Sequence, residues 1–242
     1  MADTESSGRR RRRWPFILLG AVVAAVILVV GGTALYINVI REDAPEEFTL
    51  DRPASSGPVS DEPLDGTWTV AEGSQAGYRV DEVLFGQNVT AAGRTSDVSG
   101  EMTIDGTSVT AAEFTVQMAT VTSDESRRDN QFRNRIMDVR NYPTSTFKLT
   151  SPIDLGTIPT DESSREYEAT GDLTLRGTTR EVTMMLQARR SGDQIEVVGQ
   201  LPVVFADFNI PNPSIPGIST EDNGIMEVSL VFDHAADAAD VE

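Results

Sequence analysis

From Tyr167 to Ala188 the chain alternates between hydrophobic and polar residues almost one by one. Tyr167, Ala169, Leu173 and Leu175 fall on one side of an extended backbone, and Glu168, Thr170, Asp172 and Thr174 on the other. After a break at Gly177-Thr178 the pattern resumes with Val182, Met184, Leu186 and Ala188, and only Met185 falls on the wrong side. Successive strand residues point to opposite faces, so the stretch predicts a hairpin with one apolar and one wet face. The same period of two predicts strands at Thr67–Val70, Ala76–Leu84, Val89–Arg94, Ser99–Ile104, Ser108–Val121, Thr146–Leu149, Glu166–Leu175, Glu181–Arg189, Gln194–Phe205 and Ile225–Phe232. Phe114, Val116 and Met118 form one apolar face, and Met226, Val228, Leu230 and Phe232 another. Sheets of this kind close into sandwiches or barrels.

One segment breaks the period. Thr122-Ser123-Asp124-Glu125 has the T-x-x-E spacing of a capping box, with acids where a helix dipole favours them. A helix over Ser123–Met137 is predicted, with Phe132 and Ile136 four apart on one face. Two long connections, Asp154–Arg165 and Asn209–Asn223, carry Pro159, Pro211, Pro213 and Pro216. Loops of that length in a compact domain often border a functional opening.

The N-terminus follows other rules. Arg9 to Arg13 are five arginines, and Trp14 to Ile40 follows without a charged side chain. As a helix this run would extend roughly 40 Å, more than a hydrocarbon core of about 30 Å. Trp14 and Tyr36 lie near its ends, where amphipathic rings prefer the interface. Arginines before the run and Glu42, Asp43, Glu46 and Glu47 after it orient the N-terminus to the cytoplasm and the body outside the membrane. A cleaved signal peptide competes, since Gly31-Gly32-Thr33-Ala34 is a run of small residues. The retained anchor is favoured because the apolar run continues to Ile40. The expected organisation is a basic cytoplasmic segment (1–13), a single transmembrane helix (14–40), a flexible acidic, proline-rich tether (41–64), one β domain (65–234) and an acidic disordered tail (235–242).

Composition narrows the chemistry. Cysteine is absent and His234 is the only histidine, which excludes a disulfide scaffold, a zinc finger and a thiol nucleophile. His234 sits where a last strand would fray, so a structural role is expected. With five of the 20 basic and two of the 38 acidic residues lying in 1–40, the remainder carries 15 basic against 36 acidic residues, net −21. Such a body repels a phosphate backbone, so no nucleic-acid partner is expected. The carboxylates are scattered over linkers, turns and outward strand positions and select no catalytic pair; no enzyme, cofactor or metal site is expected.

The order of features resembles the YceI family of bacterial envelope proteins, in a membrane-anchored form of actinobacterial type. Trp68-x-Val70, Ser74 and Tyr78-x-Val80 resemble its opening strands, Ser123-Asp124 with Arg128-Asp129 its helix segment, and Tyr142-Pro143 followed by Phe147 its YP-x-x-x-F step. Gly171-x-Leu173-Thr174-Leu175-x-Gly177-x-Thr179-x-x-Val182 is the most specific match, and Asp207-Phe208 resembles a late DF. The chain departs in having Gly73 before Ser74, where many members carry His, and Asn209 after the DF, where Gly is frequent. The resemblance implies an all-β, antiparallel, lipocalin-like barrel with one short α-helix. It also implies an apolar channel for an isoprenoid-type lipid, such as a polyprenyl lipid or a quinone tail, held for transport or storage. The expected lining is Tyr78, Phe114, Val116, Met118, Phe132, Ile136, Phe147, Leu173, Leu175, Met184, Leu186, Val203, Phe205 and Phe208. Arg128 and Asp129 are expected either to orient a headgroup or to form a structural ion pair. The expected partners are the lipid, the cytoplasmic membrane and a second copy in a homodimer. The competing reading is a ligand-free structural or interaction module of the envelope.

Overall fold

A computed structural model describes residues 14–35, 44–50, 63–84, 86–157 and 161–235. The expected basic segment 1–13 and nearly all of the acidic tail lie outside the described residues. The chain forms two units, Met1–Asp43 and Ala44–Glu242. The first contains helix α1 (Trp14–Leu35). Side chains are described there over residues 17–32, and Ile17, Leu19, Val22, Val26, Ile27 and Leu28 are among those exposed. Among the described residues no helix is long and apolar enough to cross a membrane.

The second unit is antiparallel throughout. Its strands are β1 (Gly66–Val70), β2 (Gln75–Leu84), β3 (Gln87–Thr95), β4 (Val98–Asp105), β5 (Ser108–Gln117), β6 (Thr122–Ser123), β7 (Thr144–Leu149), β8 (Ile153–Asp154), β9 (Arg165–Leu175), β10 (Thr178–Ser191), β11 (Gln194–Val204), β12 (Ile218–Thr220) and β13 (Asn223–His234). Hydrogen bonding runs β1-β4-β5-β7-β9-β10-β11-β13, and β13 returns to β1 through Trp68↔His234 and Val70↔Phe232, closing an eight-stranded barrel. Further along β13, β2 takes over from β1 (Met226↔Tyr78) and carries β3 and β6. Closure leaves every barrel strand paired on both sides, which removes exposed sheet edges there.

The alternation drives this arrangement. In the β9–β10 hairpin Leu175 pairs with Thr178, Gly171 with Val182 and Ala169 with Met184. Thr170–Thr183 and Thr174–Thr179 meet outside, their hydroxyl oxygens 2.9 and 2.8 Å apart. The turn lies at Arg176-Gly177, one residue earlier than expected, with φ of 47° and 72°. Two positive φ values fit the right-handed twist of the flanking strands. Two family-like segments meet here: a Cβ on Gly177 would sit 2.4 Å from the Tyr142 ring, and one on Gly171 2.5 Å from Phe147 Cζ. Glycine at 171 is therefore what lets the Phe147 ring lie across the inner wall.

Two expected strands end early. The 108–121 stretch stops at Gln117 and turns through a 3-10 segment, Met118–Thr120. The 194–205 stretch stops at Val204, followed by a 3-10 turn at Phe205–Phe208. Asn209 closes that turn with φ 54°, a left-handed position that glycine fills without strain and asparagine tolerates.

The expected helix over 123–137 is corrected. Thr122 and Ser123 pair with β3, and the capping box does not form. The helix α2 covers Ser126–Gln131, and Glu125 caps it by accepting from the Arg127 amide. It then widens into a π-helical turn over Phe132–Ile136, where the Met137 amide donates to the Phe132 carbonyl at 2.8 Å.

Candidate functional site: an apolar cavity in the barrel

The inward residues form two clusters. β5 runs from Val109 toward Met118, and α2 follows its far end. At that helix end Met118, Phe132, Leu175, Val203, Phe205 and Phe208 are buried together. Tyr78 stacks on Phe132 with ring centroids 5.1 Å apart and planes at 10°. Burial raises the Tyr78 phenol well above its ordinary pKa; Arg128 opposes the rise and Asp129 adds to it. At the opposite end Leu64, Trp68, Ile104, Val109, Ile195 and Phe232 form the second cluster. The Trp68 indole donates to the Leu64 carbonyl at 2.8 Å, and His234 meets Trp68 edge-on at 4.9 Å with Nε2 3.0 Å from the Asp65 carbonyl. His234 is thus a structural residue at the end of the last strand.

A cavity of about 160 Å³ lies against this second cluster and reaches to mid-barrel. It exists because small residues face inward: Ala76, Ala112, Ala169 and Ala188 line it. Of the expected lining, Phe114, Val116, Phe147, Leu173, Met184 and Leu186 border the cavity. Tyr78, Met118, Phe132, Ile136, Leu175, Val203, Phe205 and Phe208 pack at the helix end instead. Leu64, Met102, Ile104, Leu149, Leu155 and Val228 also line it and escaped the sequence reading. The available signal was the face Met226/Val228/Leu230/Phe232, every member of which borders the void.

The lining holds few polar groups. The Ser145 hydroxyl donates to the Thr174 carbonyl at 3.1 Å. Tyr167 has its phenol pKa raised by burial. Arg189 and Arg190 sit at one margin, and Arg189 bonds Glu196 Oε2 at 2.6 Å. No carboxylate or imidazole lines the cavity. Among the described residues no three His, Asp or Glu side chains are grouped to hold a metal ion. The geometry suits enclosure of an apolar group, with no positioned acid or base.

Arg128 and Asp129 are not partnered with each other. Arg128 bonds Asp124, while Asp129 Oδ1 accepts from the Ser123 amide at 2.8 Å and its hydroxyl at 2.7 Å. Asp129 is buried by this work, tying α2 to β6.

Comparison with known proteins follows the same lines. The model of the YceI-like domain matches residues 68–232. A UPF0312 protein of Vibrio parahaemolyticus is 28% identical over 128 residues, 49% of this chain and 64% of that protein. A UPF0312 protein of Vibrio vulnificus matches to the same extent, so the aligned region spans 64% of the length of these relatives. Among solved structures, a polyisoprenoid binding domain from Saccharophagus degradans, implicated in plant cell wall breakdown, shares the fold at TM-score 0.55 and 14% identity. That match covers 70% of this chain and 98% of the other. BcnA of Burkholderia cenocepacia gives TM-score 0.49 at 22% identity, over 64% of this chain and 95% of its own. With its barrel matched from Trp68 to Phe232, the chain belongs to the family of YceI-like domains.

Proposed function

We propose that this protein is a membrane-tethered carrier that holds an isoprenoid-type chain inside its barrel. The observation that carries the reading is the alanine-lined cavity of about 160 Å³ within a closed apolar interior. An engineered cavity of about 150 Å³ stays dry and takes up benzene, so this one has room for about one five-carbon isoprene unit. At about 0.8 kcal/mol per CH₂-sized group, that unit gains about 4 kcal/mol on burial. Binding of a polyisoprenoid by a domain of the same fold agrees with this chemistry. The lipid would leave a bilayer at a similar energy, so exchange between membrane and barrel is close to balanced, as a carrier requires.

The tethering part rests on the N-terminal sequence, uncharged from Trp14 to Ile40 after five arginines, and on the exposed aliphatic side chains of α1. An exposed run of Ile, Leu and Val calls for an apolar surrounding. We place the N-terminus in the cytoplasm and the barrel outside it, following the charge asymmetry.

A ligand-free envelope module is the second reading, and the close packing of the helix end favours it. Native mass spectrometry of the full chain, extracted from membranes under lipid-preserving conditions, separates the two. The carrier reading expects an adduct of isoprenoid mass that is released by organic solvent. Recovery of the bare polypeptide alone would sink it.

A further inference from the structure

A buried charged cluster lies on the outside of the barrel; of its members only Arg189 also borders the cavity. On β13 Glu227 alternates with the inward Met226 and Val228, so it faces outward, yet its side chain is 0% exposed. Arg79 Nε donates to one of its oxygens at 3.0 Å and Arg94 Nε to the other at 2.8 Å. On the neighbouring strands, Arg189 Nε and Nη2 both donate to Glu196 Oε2, at 2.8 and 2.6 Å.

The cover over these groups is the segment Ala44–Leu50. Other nitrogens of the same arginines hold its main chain: Arg79 Nη2 donates to the Pro45 carbonyl, Arg94 Nη2 to the Glu46 carbonyl, and Arg189 Nη1 to the Leu50 carbonyl at 2.9 Å. Gln200 Nε2 donates to Glu47 Oε2 at 3.0 Å. The Arg94 guanidinium lies 3.8 Å from the centroid of the half-buried Phe48 ring. Each arginine turns one edge to a wall carboxylate and another to a carbonyl of the segment. The planar fork holds both donations in one fixed geometry, which the single ammonium of a lysine does not.

We infer that this outer wall is a built docking seat for the chain's own Ala44–Leu50, an acidic-aromatic strap read through its carbonyl groups and the Phe48 ring. The strap fastens the chain to the barrel well ahead of β1. Without it, the excess positive charge of two arginines on one carboxylate would stand open to water.

The absence of native cysteine makes the test direct. Spin labels on Thr49→Cys and Gln187→Cys, both exposed, report the distance from strap to wall in the full chain by pulsed electron resonance. A single narrow distance, unchanged on dilution with unlabelled protein, is expected. Arg94→Ala should broaden the distribution at least twofold, and so should replacing Pro45–Phe48 with glycine and serine. The second change touches no barrel strand, so its result does not depend on the Arg94 variant folding. A parent distribution as broad as that of the glycine-serine chain would overturn the inference. A narrow distance lost on dilution would assign the strap to a second copy and overturn it equally. No lipid takes part, so the outcome is independent of the carrier reading.

Discussion

Filling the cavity from within gives the sharpest test of the site. Ala169 is 1% exposed, lines the void, and pairs across the hairpin with Met184. Ala169→Phe places a benzene-sized ring where about 160 Å³ stands empty. The isoprene unit that would occupy that space forfeits about 4 kcal/mol of burial, which is roughly a 10³-fold loss in affinity. The barrel itself should not suffer: a fully buried Phe side chain gains about 1.5–3 kcal/mol over an exposed one, against the strain of any misfit. Leu175→Trp is the control. Leu175 is buried in the helix-end cluster and does not border the cavity, so added bulk there should destabilise by about 1–3 kcal/mol. Isothermal titration with a short isoprenol, alongside urea unfolding of both variants, reads the two effects separately. If Ala169→Phe binds the isoprenol within threefold of the parent, the cavity is not the lipid site and the reasoning from its volume fails.

Two other perturbations follow from particular contacts. Gly171→Val drives a side chain to within 2.5 Å of both Phe147 Cζ and the Lys148 carbonyl, so it should lower unfolding stability by about 3 kcal/mol; an unchanged urea midpoint would contradict the inward packing of Phe147. Burial keeps the Tyr78 phenol protonated in the folded barrel above its ordinary pKa of about 10, so its contribution is intact below that pH and is lost as pH rises past it. Tyr78→Phe should therefore flatten the fall in stability between pH 9 and pH 11, measured by denaturant unfolding, and an identical slope in both proteins would refute the burial argument.

How far the sequence announced all this depends on the range of the forces involved. Strands such as Gln75–Leu84 and Arg165–Leu175 were legible because a period of two is a local property written in neighbouring residues. Strand ends were not, because Met118 and Phe205 keep the alternation going while their backbones turn. The capping box misled for a related reason: Thr122 and Ser123 found partners in Gly93 and Arg94, and a long-range ladder outweighed a local cap. The hairpin break slipped by one because the left-handed position fell on Arg176, which no propensity would nominate. Alternation also tells which side chains point inward without telling whether they meet. Phe147 and Phe205 look alike in the sequence, yet one borders the void and the other lies in packed core. The deciding residues were Ala112, Ala169 and Ala188, whose smallness counts only once they face the same space. The contacts of Ala44–Leu50 were the least legible, since they join residues more than 30 positions apart through main-chain oxygens that carry no sequence signature.

A closed sheet of eight strands fixes the barrel's radius, so inner side chains alone decide how deep a guest can go. At the helix end that space is taken by Phe132, Phe205 and Phe208, with Tyr78 stacked on Phe132. Removing the packing of such a ring is worth about 3–5 kcal/mol, by comparison with Phe→Ala changes in other cores. The next isoprene unit to move deeper would gain about 4 kcal/mol. The two nearly cancel, so deeper insertion toward α2 carries no net drive. In the other direction the cavity is bordered by Leu64, Leu155 and Tyr167, and beyond it Trp68 and Phe232 are buried in the second cluster. On the carrier reading the bilayer offers the same burial energy as the barrel, so selectivity would have to come from shape. If the barrel carries an isoprenoid, a branched chain end of about one unit, fitted to the alanine-lined hollow, is the part this packing accommodates.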